Sequence, residues 1–417
     1  MSAVETVAAP PVAPRLLGGL RQDGRPVGVA AHLERYGPLP LELRSEELRE
    51  RIAAAGLTGR GGAGFPTATK LESVRGGRTR PVVVANGTEG EPPSGKDKVL
   101  LAYSPHLVID GAVLAARAVG AKQVVIATSS TVNAAVEAAL RERRLERGIR
   151  VRAVVVPDRF VAGEETALVQ FLNGGPALPT FTPPRPYERG VGGAPTLVLN
   201  VETLAQLALI ARFGAAWFRA AGTPDEPGTA LVTVSGAVRE PGVYEIELGS
   251  SFAGLLEQAG ADRQAQAYLV GGYFGTWLTA AEGARAALSN ASLGRFGAAL
   301  GARAIIVLPA DACGVVETAR IAAYLSEQSA GQCGPCVHGL AAIVDSLEQL
   351  VQAKKRTADV PLLQRRLGQI AGRGACRHPD GAAVLVASAL RVFAGEVDRH
   401  VHGRRCTGNG RPALAIR

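Results

Sequence analysis

Two short stretches hold the residues whose types and spacing can do chemistry. Residues 57–73 read LTGRGGAGFPTATKLES and pack four glycines (Gly59, Gly61, Gly62, Gly64) into six positions. An aromatic (Phe65), a rigid turn (Pro66) and a lone cation (Lys70) follow. Glycine accepts positive φ and leaves backbone N–H groups open to a ligand. A lysine just beyond such a loop can neutralise a phosphate. Residues 85–98 read ANGTEGEPPSGKDK and follow the apolar run PVVVAN at 81–86, which reads as a buried strand. They place Asn86, Glu89 and Glu91 at the strand's carboxyl end, where open α/β sheets take their ligands. Carboxylates there suit ribose hydroxyls or an amide, not a phosphate. Together the stretches predict a nucleotide-like cofactor, phosphate on the glycine loop and polar ring at the strand end. Taken alone, the loop reads more simply as a glycine-rich turn.

Other elements must hold these stretches in place. Residues 45–55 (SEELRERIAAA) read as a capped helix ending at Gly56. An apolar helix (108–119), a strand (123–128, QVVIAT), an amphipathic helix (132–147) and a strand (151–157, VRAVVVP) follow. The basic RERRLER face of the second helix is most simply a solvated surface. The alternation predicts a parallel sheet with helices on both faces. Residues 159–175 (RFVAGEETALVQFLNGG) open a helix with Glu164 and Glu165, a placement the helix dipole alone favours. Residues 192–206 (GGAPTLVLNVETLAQ) put Asn200 at a strand end, where it can cap the next helix. A linker at 223–228 precedes a hairpin at 231–249, a helix at 252–259 and a strand at 267–270. Four amphipathic segments (315–328, 337–353, 361–371, 381–402) predict a helical bundle. The domains expected are a disordered Ala/Pro/Val-rich tail at 1–14, a nucleotide-binding α/β domain at 15–222, a small β domain at 229–300 and a helical domain at 310–417.

The motifs resemble one family, the FMN-carrying, NADH-oxidising F-type subunit of respiratory complex I and its diaphorase relatives in hydrogenases and formate dehydrogenases. Its pattern RGRGGAGFP…K, then NxDEGEPG…KD, stands here as TGRGGAGFP, Lys70, NGTEGEP and KDK, with Thr88 in place of Asp. YxCGEETAL becomes FVAGEETAL, with Phe160 for Tyr and Ala162 for Cys. GxPTVVNNVETLA becomes GAPTLVLNVETLA, keeping Asn200 and Thr203 and replacing the first Asn by Leu199. The resemblance implies FMN held by Gly59, Arg60, Gly61, Gly62, Gly64, Phe65, Lys70, Asn86, Thr88, Glu89, Glu91, Phe160, Glu164, Glu165, Asn200 and Thr203. It implies that Glu91 and Glu165 orient the dinucleotide for hydride transfer. It also implies that residues 229–300 form a ubiquitin-like β-grasp module of the SLBB type, expected as a spacer without catalysis. Two aromatics that stack on NADH in the family are Ser73 and Arg185 here, a loss of about 1–3 kcal/mol. The donor expected is therefore NAD(P)H, with Arg185 a candidate for binding the extra phosphate.

The family also holds a 4Fe–4S cluster on SCGxCxPC and a distant cysteine, thiolate sulfur being the soft ligand iron clusters need. Here Cys333, Cys336 and Cys376 match and Ala330 fills the first ligand position. An altered or three-iron cluster, a substitute ligand from Cys313, His338 or His378, zinc on the Cys/His set, and an empty site all stay open. Cys406 reads as a free thiol in the tail. Five cysteines, four of them after Gly314, suit a cytosolic thiol or metal role better than a disulfide framework.

The net charge is +9, and residues 331–417 supply +7 of it (13 Lys/Arg against 6 Asp/Glu). That excess can steer an acidic, ferredoxin-like acceptor or sister electron-transfer subunits. No nucleic-acid motif accompanies it. No run is apolar for the length of a membrane helix, and no signal peptide opens the chain. A cytoplasmic protein is expected, meeting a membrane only through partner subunits. Two other functions stay open: a flavin/iron–sulfur relay without nicotinamide activity, and a scaffold subunit that has lost both centres.

Overall fold

The computed structural model describes residues 15–18, 26–75, 77, 79–143, 148–352, 359–404, 412–414 and 416. The expected tail at 1–14, most of the RERRLER segment and Cys406 lie outside the described residues.

Strands β1 (Val82–Gly87), β2 (Gln123–Thr128), β3 (Arg150–Val155) and β4 (Thr196–Asn200) form a parallel sheet in the order β3-β2-β1-β4. Side chains alternate between its faces. Val83, Ala85, Val124, Ile126, Leu197 and Leu199 enter one core with the Pro105–Val119 and Val201–Arg219 helices. Val82, Val84, Val125, Ala127 and Val198 enter a second core, with Leu168 and Val169 of the Glu165–Leu172 helix. Burial on both faces is why β1 and β2 read as unbroken apolar runs. The two long helices cross in backbone contact: a Cβ on Gly111 would stand 1.9 Å from the Leu204 carbonyl oxygen. The Ser45–Ala55 helix forms over the predicted residues and ends on Gly56 at φ 69°.

The chain lays β1, β2 and β3 side by side, then returns to place β4 on the other edge of β1. That reversal opens a crevice at the carboxyl ends of β1 and β4. Asn86 and Asn200 are register partners there.

The second sheet contains β5 (Thr229–Gly236), β6 (Gly242–Glu247), β7 (Ala267–Val270), β8 (Thr276–Thr279) and β9 (Ala304–Leu308), in the order β6-β5-β9-β7-β8. β9 runs parallel to β5; the other pairs are antiparallel. The hairpin, helix and β7 match the sequence reading. β9 does not: it lies beyond residue 300, so the sheet outruns the 229–300 module. AIIVL is a five-residue, fully buried run, and periodicity cannot assign so short a stretch.

The C-terminal helices are Gly314–Glu327, Ala341–Val351, Val360–Ile370, His378–Val392 and Ala394–Val401, with a wide turn at Pro335–Leu340 leading into the second. The segment expected as one helix at 381–402 therefore breaks at Phe393. That ring is buried against Trp277, 5.1 Å between centroids, and fills the space where Gly314 carries no side chain. Trp277, Leu269 and Ile306 of the second sheet share one core with these helices. Among the described residues no single helix is long and apolar enough to cross a membrane. The Lys96–Tyr103 and Pro105–Val119 helices reach that length only as a pair bent by 96°.

Candidate functional site

The glycine loop is closed on itself. Thr58 and Pro66 form an antiparallel bridge, Gly59 N–H donates to the Phe65 carbonyl at 2.8 Å, and Thr67 N–H donates to the Leu57 carbonyl at 2.9 Å. Gly62 and Gly64 take φ of 121° and 62°, conformations that need glycine. Arg60 N–H donates to Thr203 Oγ1 at 2.8 Å, tying the loop to the helix that follows β4. Gly61 lies so close to Asn200 that a Cβ would meet the asparagine's own at 3.2 Å.

The loop, the ends of β1 and β4 and the second sheet enclose a cavity of about 480 Å³. That size suits a cofactor. Gly61, Gly62, Asn86, Thr88, Glu89, Glu91, Phe160 and Asn200, all expected at the site, line it. Gly271, Phe274, Gly275, Thr276 and residues 297–299, 301 and 302 supply the opposite wall. Loops of the second sheet, expected as a spacer, thus supply one wall of the cavity.

Several expected residues act from outside the cavity. Glu164 caps the Glu165–Leu172 helix, accepting from Thr166 N–H (2.9 Å) and Ala167 N–H (3.0 Å). Lys70 donates to Glu165 Oε2 at 3.1 Å and to the Val198 carbonyl at 3.3 Å, so its charge is already matched. Gly59, Arg60, Gly64, Phe65 and Thr203 likewise support the loop without lining the cavity. Phe65 is exposed. The lysine on the cavity wall is Lys96, which the sequence reading did not single out. It is 3 % exposed and paired with Asp97 (2.6 Å) and Glu202 (3.0 Å). Burial opposes its charge, but the two carboxylates outweigh this and raise its pKa. Its signal was the KDK that ends the second stretch.

Each acidic residue there has a separate task. Glu89, in the left-handed region at φ 46°, caps the Lys96–Tyr103 helix by accepting from Asp97 N–H (2.9 Å) and Lys98 N–H (2.8 Å). Asp97 accepts from Asn200 Nδ2 at 2.6 Å, while Asn200 Oδ1 accepts from Glu202 N–H at 3.0 Å to start its own helix. Asn86 donates to the Gly163 carbonyl at 2.8 Å. Glu91 reaches across to the second sheet and accepts the Tyr273 N–H at 2.8 Å. Burial pushes its carboxyl up to about 8, against that hydrogen bond.

Cys333 and Cys336 adjoin, and Cys376 is near enough for its charge to act on Cys336. Burial, then the adjoining Cys333 thiol and Cys376, push Cys336 up to about 12, while the Gly331 N–H pulls the other way. Burial also raises Cys376, with the charges of Glu164 and Cys333 adding. Crowded thiols in a buried place resist ionising unless a metal centre compensates them. Ala330 offers no ligand atom. Cys313 turns instead to Glu396 and His400, each at 3.3 Å. His338 is exposed, and His378 places Nε2 2.7 Å from the Leu325 carbonyl. Among the described residues no group of three or more His, Cys, Asp or Glu stands where it could hold a metal ion, so neither a lone zinc nor a cluster finds a ready-formed ligand set. Phe160 and Phe274 line the cavity and both pack edge-on against His378, at 5.5 and 5.2 Å. His378 lies two residues past Cys376 in sequence.

Comparison with known proteins assigns these parts. Residues 52–209 match the family model described as the Nuo51 FMN-binding domain. Residues 231–262 match the SLBB domain, and residues 317–400 match the NADH-ubiquinone oxidoreductase-F iron-sulfur binding region. The second of the F-type NADH-quinone oxidoreductase subunits of Rhizobium meliloti (strain 1021) is 32 % identical over 390 residues, 88 % of this chain and 91 % of the relative. This chain belongs to the family of F-type NADH-quinone oxidoreductase subunits. The F-type subunit of Streptomyces coelicolor is also 32 % identical, over 88 % of this chain and 85 % of its own. The crystal structure of an NAD+-reducing [NiFe]-hydrogenase in the air-oxidized state has a chain that superposes with a TM-score of 0.80 at 30 % identity. The match covers 91 % of this chain and 67 % of that one. The family's FMN fits the cavity found here: glycine and alanine leave two walls free of long side chains, and polar groups gather at the strand ends. The iron-sulfur region's match spans Cys333, Cys336 and Cys376, with Ala330 at the remaining ligand position; the three thiols do not stand as a formed ligand set.

Proposed function

We propose that this F-type homologue takes electrons from a reduced nicotinamide dinucleotide and passes them, through the three-cysteine centre, to a partner protein. Bound FMN supplies the step that converts a hydride donor into single-electron transfers. The chain's own residues do the rest. Gly61 and Gly62 present backbone to the cofactor, Asn86 and Asn200 fix the strand ends, and Lys96 keeps a buried positive charge beside them. Glu91 orients the dinucleotide from the cavity wall, and Glu165, held by Lys70, does so from outside it; neither has to move a proton. Phe160 and Phe274 give the cavity an apolar wall on the side of His378.

The observation that carries this reading is the cavity at the ends of β1 and β4, walled by glycines and by Phe160 and Phe274, whose rings pack on His378 beside the cysteine segment. A flavin needs such an open cavity; a degenerate scaffold does not. The basic excess at residues 331–417 supports an acidic acceptor, a ferredoxin-like protein or a sister subunit. The test is a visible spectrum with iron and acid-labile sulfide analysis, then anaerobic titration with NADH and NADPH separately. Flavin bleaching followed by reduction of the iron centre supports the proposal. A protein that takes up no flavin refutes it, and a flavoprotein bleached by neither donor leaves only the relay.

A further inference from the structure

Next to the glycine loop two arginine side chains lie buried together. Arg60 is 1 % exposed and Arg303 3 %. Arg303 comes from the SLBB side, one residue before β9, and stands in the left-handed region at φ 56°, where a side chain is rarely tolerated. Its Nη1 donates to the Arg60 carbonyl and its Nη2 to the Gly59 carbonyl, the latter at 3.5 Å. Arg60 in turn donates to Thr58 Oγ1 at 3.0 Å and to the Pro227 carbonyl at 3.1 Å. All four acceptors are neutral oxygens, and among the described residues the Nε of each arginine has no partner. The carboxylates whose fields reach the pair are engaged elsewhere. Glu202 and Asp97 hold Lys96, and Glu226 accepts from the N–H groups of Asn290 and Ala291. Burial, with Arg303 adding to it, lowers Arg60 to about 10. Two buried cations without an ion-paired anion among the described residues are costly unless a ligand brings the negative charge.

The peptide plane gives this arrangement a direction. In a trans peptide the N–H of one residue points opposite to the carbonyl before it. Arg303 holds the Arg60 carbonyl, so the Gly61 N–H faces away from Arg303. Gly61 lines the cavity, and among the described residues no acceptor takes the Gly61 or Gly62 N–H.

We propose that Arg303 is a positioning residue through which the SLBB domain builds the phosphate end of the flavin site. By holding the Arg60 carbonyl it turns the Gly61 amide into the cavity, and its uncompensated charge makes that corner select a phosphorylated flavin. The inference rests on the flavin reading above. It also assigns the SLBB domain a share of cofactor specificity.

The test titrates the flavin-free full-length protein with FMN and with riboflavin, which lacks the phosphate, following quenching of flavin fluorescence. Arg303→Gly relieves the left-handed strain while removing the charge, so folding is expected to survive; circular dichroism and the melting temperature check it. It should weaken FMN binding roughly ten- to hundredfold, the worth of a charged hydrogen-bonding group, and leave riboflavin binding within about twofold. Arg303→Lys, which keeps the charge but not the fork, should recover part of the FMN preference. Equal loss of both flavins in Arg303→Gly, or an unchanged FMN affinity, overturns the inference. So does a wild type that binds both flavins equally, although the flavin reading then stands. A wild type that binds neither brings down both.

Discussion

Replacing Glu91 by Gln tests the contact between the α/β and SLBB domains at the cavity. The Glu91 carboxyl accepts the Tyr273 N–H at 2.8 Å, and the bare Cα of Gly272 makes room for it, since a Cβ there would lie 2.6 Å from the carboxyl carbon. Burial is the main reason its pKa rises from 4.5 to about 8; Glu89 adds to the rise. A raised folded-state value means that the stability contribution is fully present below the unfolded pKa and is lost as pH rises through the folded one. At about 1.4 kcal/mol per pH unit, the span from 4.5 to about 8 sets a ceiling of ~5 kcal/mol. Glu91 keeps partial contact with water through the cavity, so roughly half, ~2 kcal/mol, is expected. Gln keeps the acceptor oxygen and the shape but cannot ionise. Flavin-free wild type and Glu91→Gln should therefore melt together near pH 5. By about pH 8.5 the variant should be the more stable, by several degrees. Melting curves by circular dichroism across that range decide it. Two curves that stay parallel from about pH 5 to 9 refute the assignment of a buried, protonatable carboxyl between the domains.

Gly111→Ala forces a Cβ to within 1.9 Å of the Leu204 carbonyl and should cost about 3 kcal/mol or more, read as a lower urea midpoint. Asp110 is fully buried and ion-paired to Arg143 and Arg212, with His32 Nε2 at 2.8 Å. Burial opposes its charge, but His32 and the two arginines hold its pKa far below the carboxylate range. Its contribution is therefore present above about pH 4 and fades only as acid reaches the depressed value. Asp110→Asn leaves two buried guanidiniums unmatched and should lose about 3–5 kcal/mol at neutral pH, with less acid sensitivity than wild type in denaturant melts. Ala330→Cys supplies the missing thiolate beside Cys333, Cys336 and Cys376, and should raise iron and sulfide per chain and slow iron loss to a chelator. Equal iron retention by both proteins would mean that another group already completes the centre.

Much of this arrangement was legible in local sequence. The glycine spacing forces the loop, because residues at φ 121° and 62° must lack a Cβ. VVVA and QVVIAT announce strands buried on both faces, and Asn200 sits where a helix needs a cap. The match of residues 317–400 to the iron-sulfur binding region was foreshadowed by the cysteine motif at 333 and 336 with a distant cysteine at 376. The fate of the ionisable groups was not legible. Lys70 follows the loop as a phosphate-binding lysine would, yet Glu165, 95 residues on in sequence, holds it. Lys96 takes the wall position instead, because the Lys96–Tyr103 helix begins at the crevice. Sequence spacing says which residues lie near a loop, not which opposite charge arrives from another element.

Backbone chemistry and burial period are local properties, so the sequence alone determined a glycine loop before a short helix, a parallel sheet and three thiols near a helical bundle. Only the tertiary structure decided that the SLBB loops wall the cavity, that Arg303 reaches the Arg60 carbonyl, and that Phe160 and Phe274 pack on His378. Those contacts join residues far apart along the chain. They arise from how separate cores pack on one another, which no periodicity along the chain encodes.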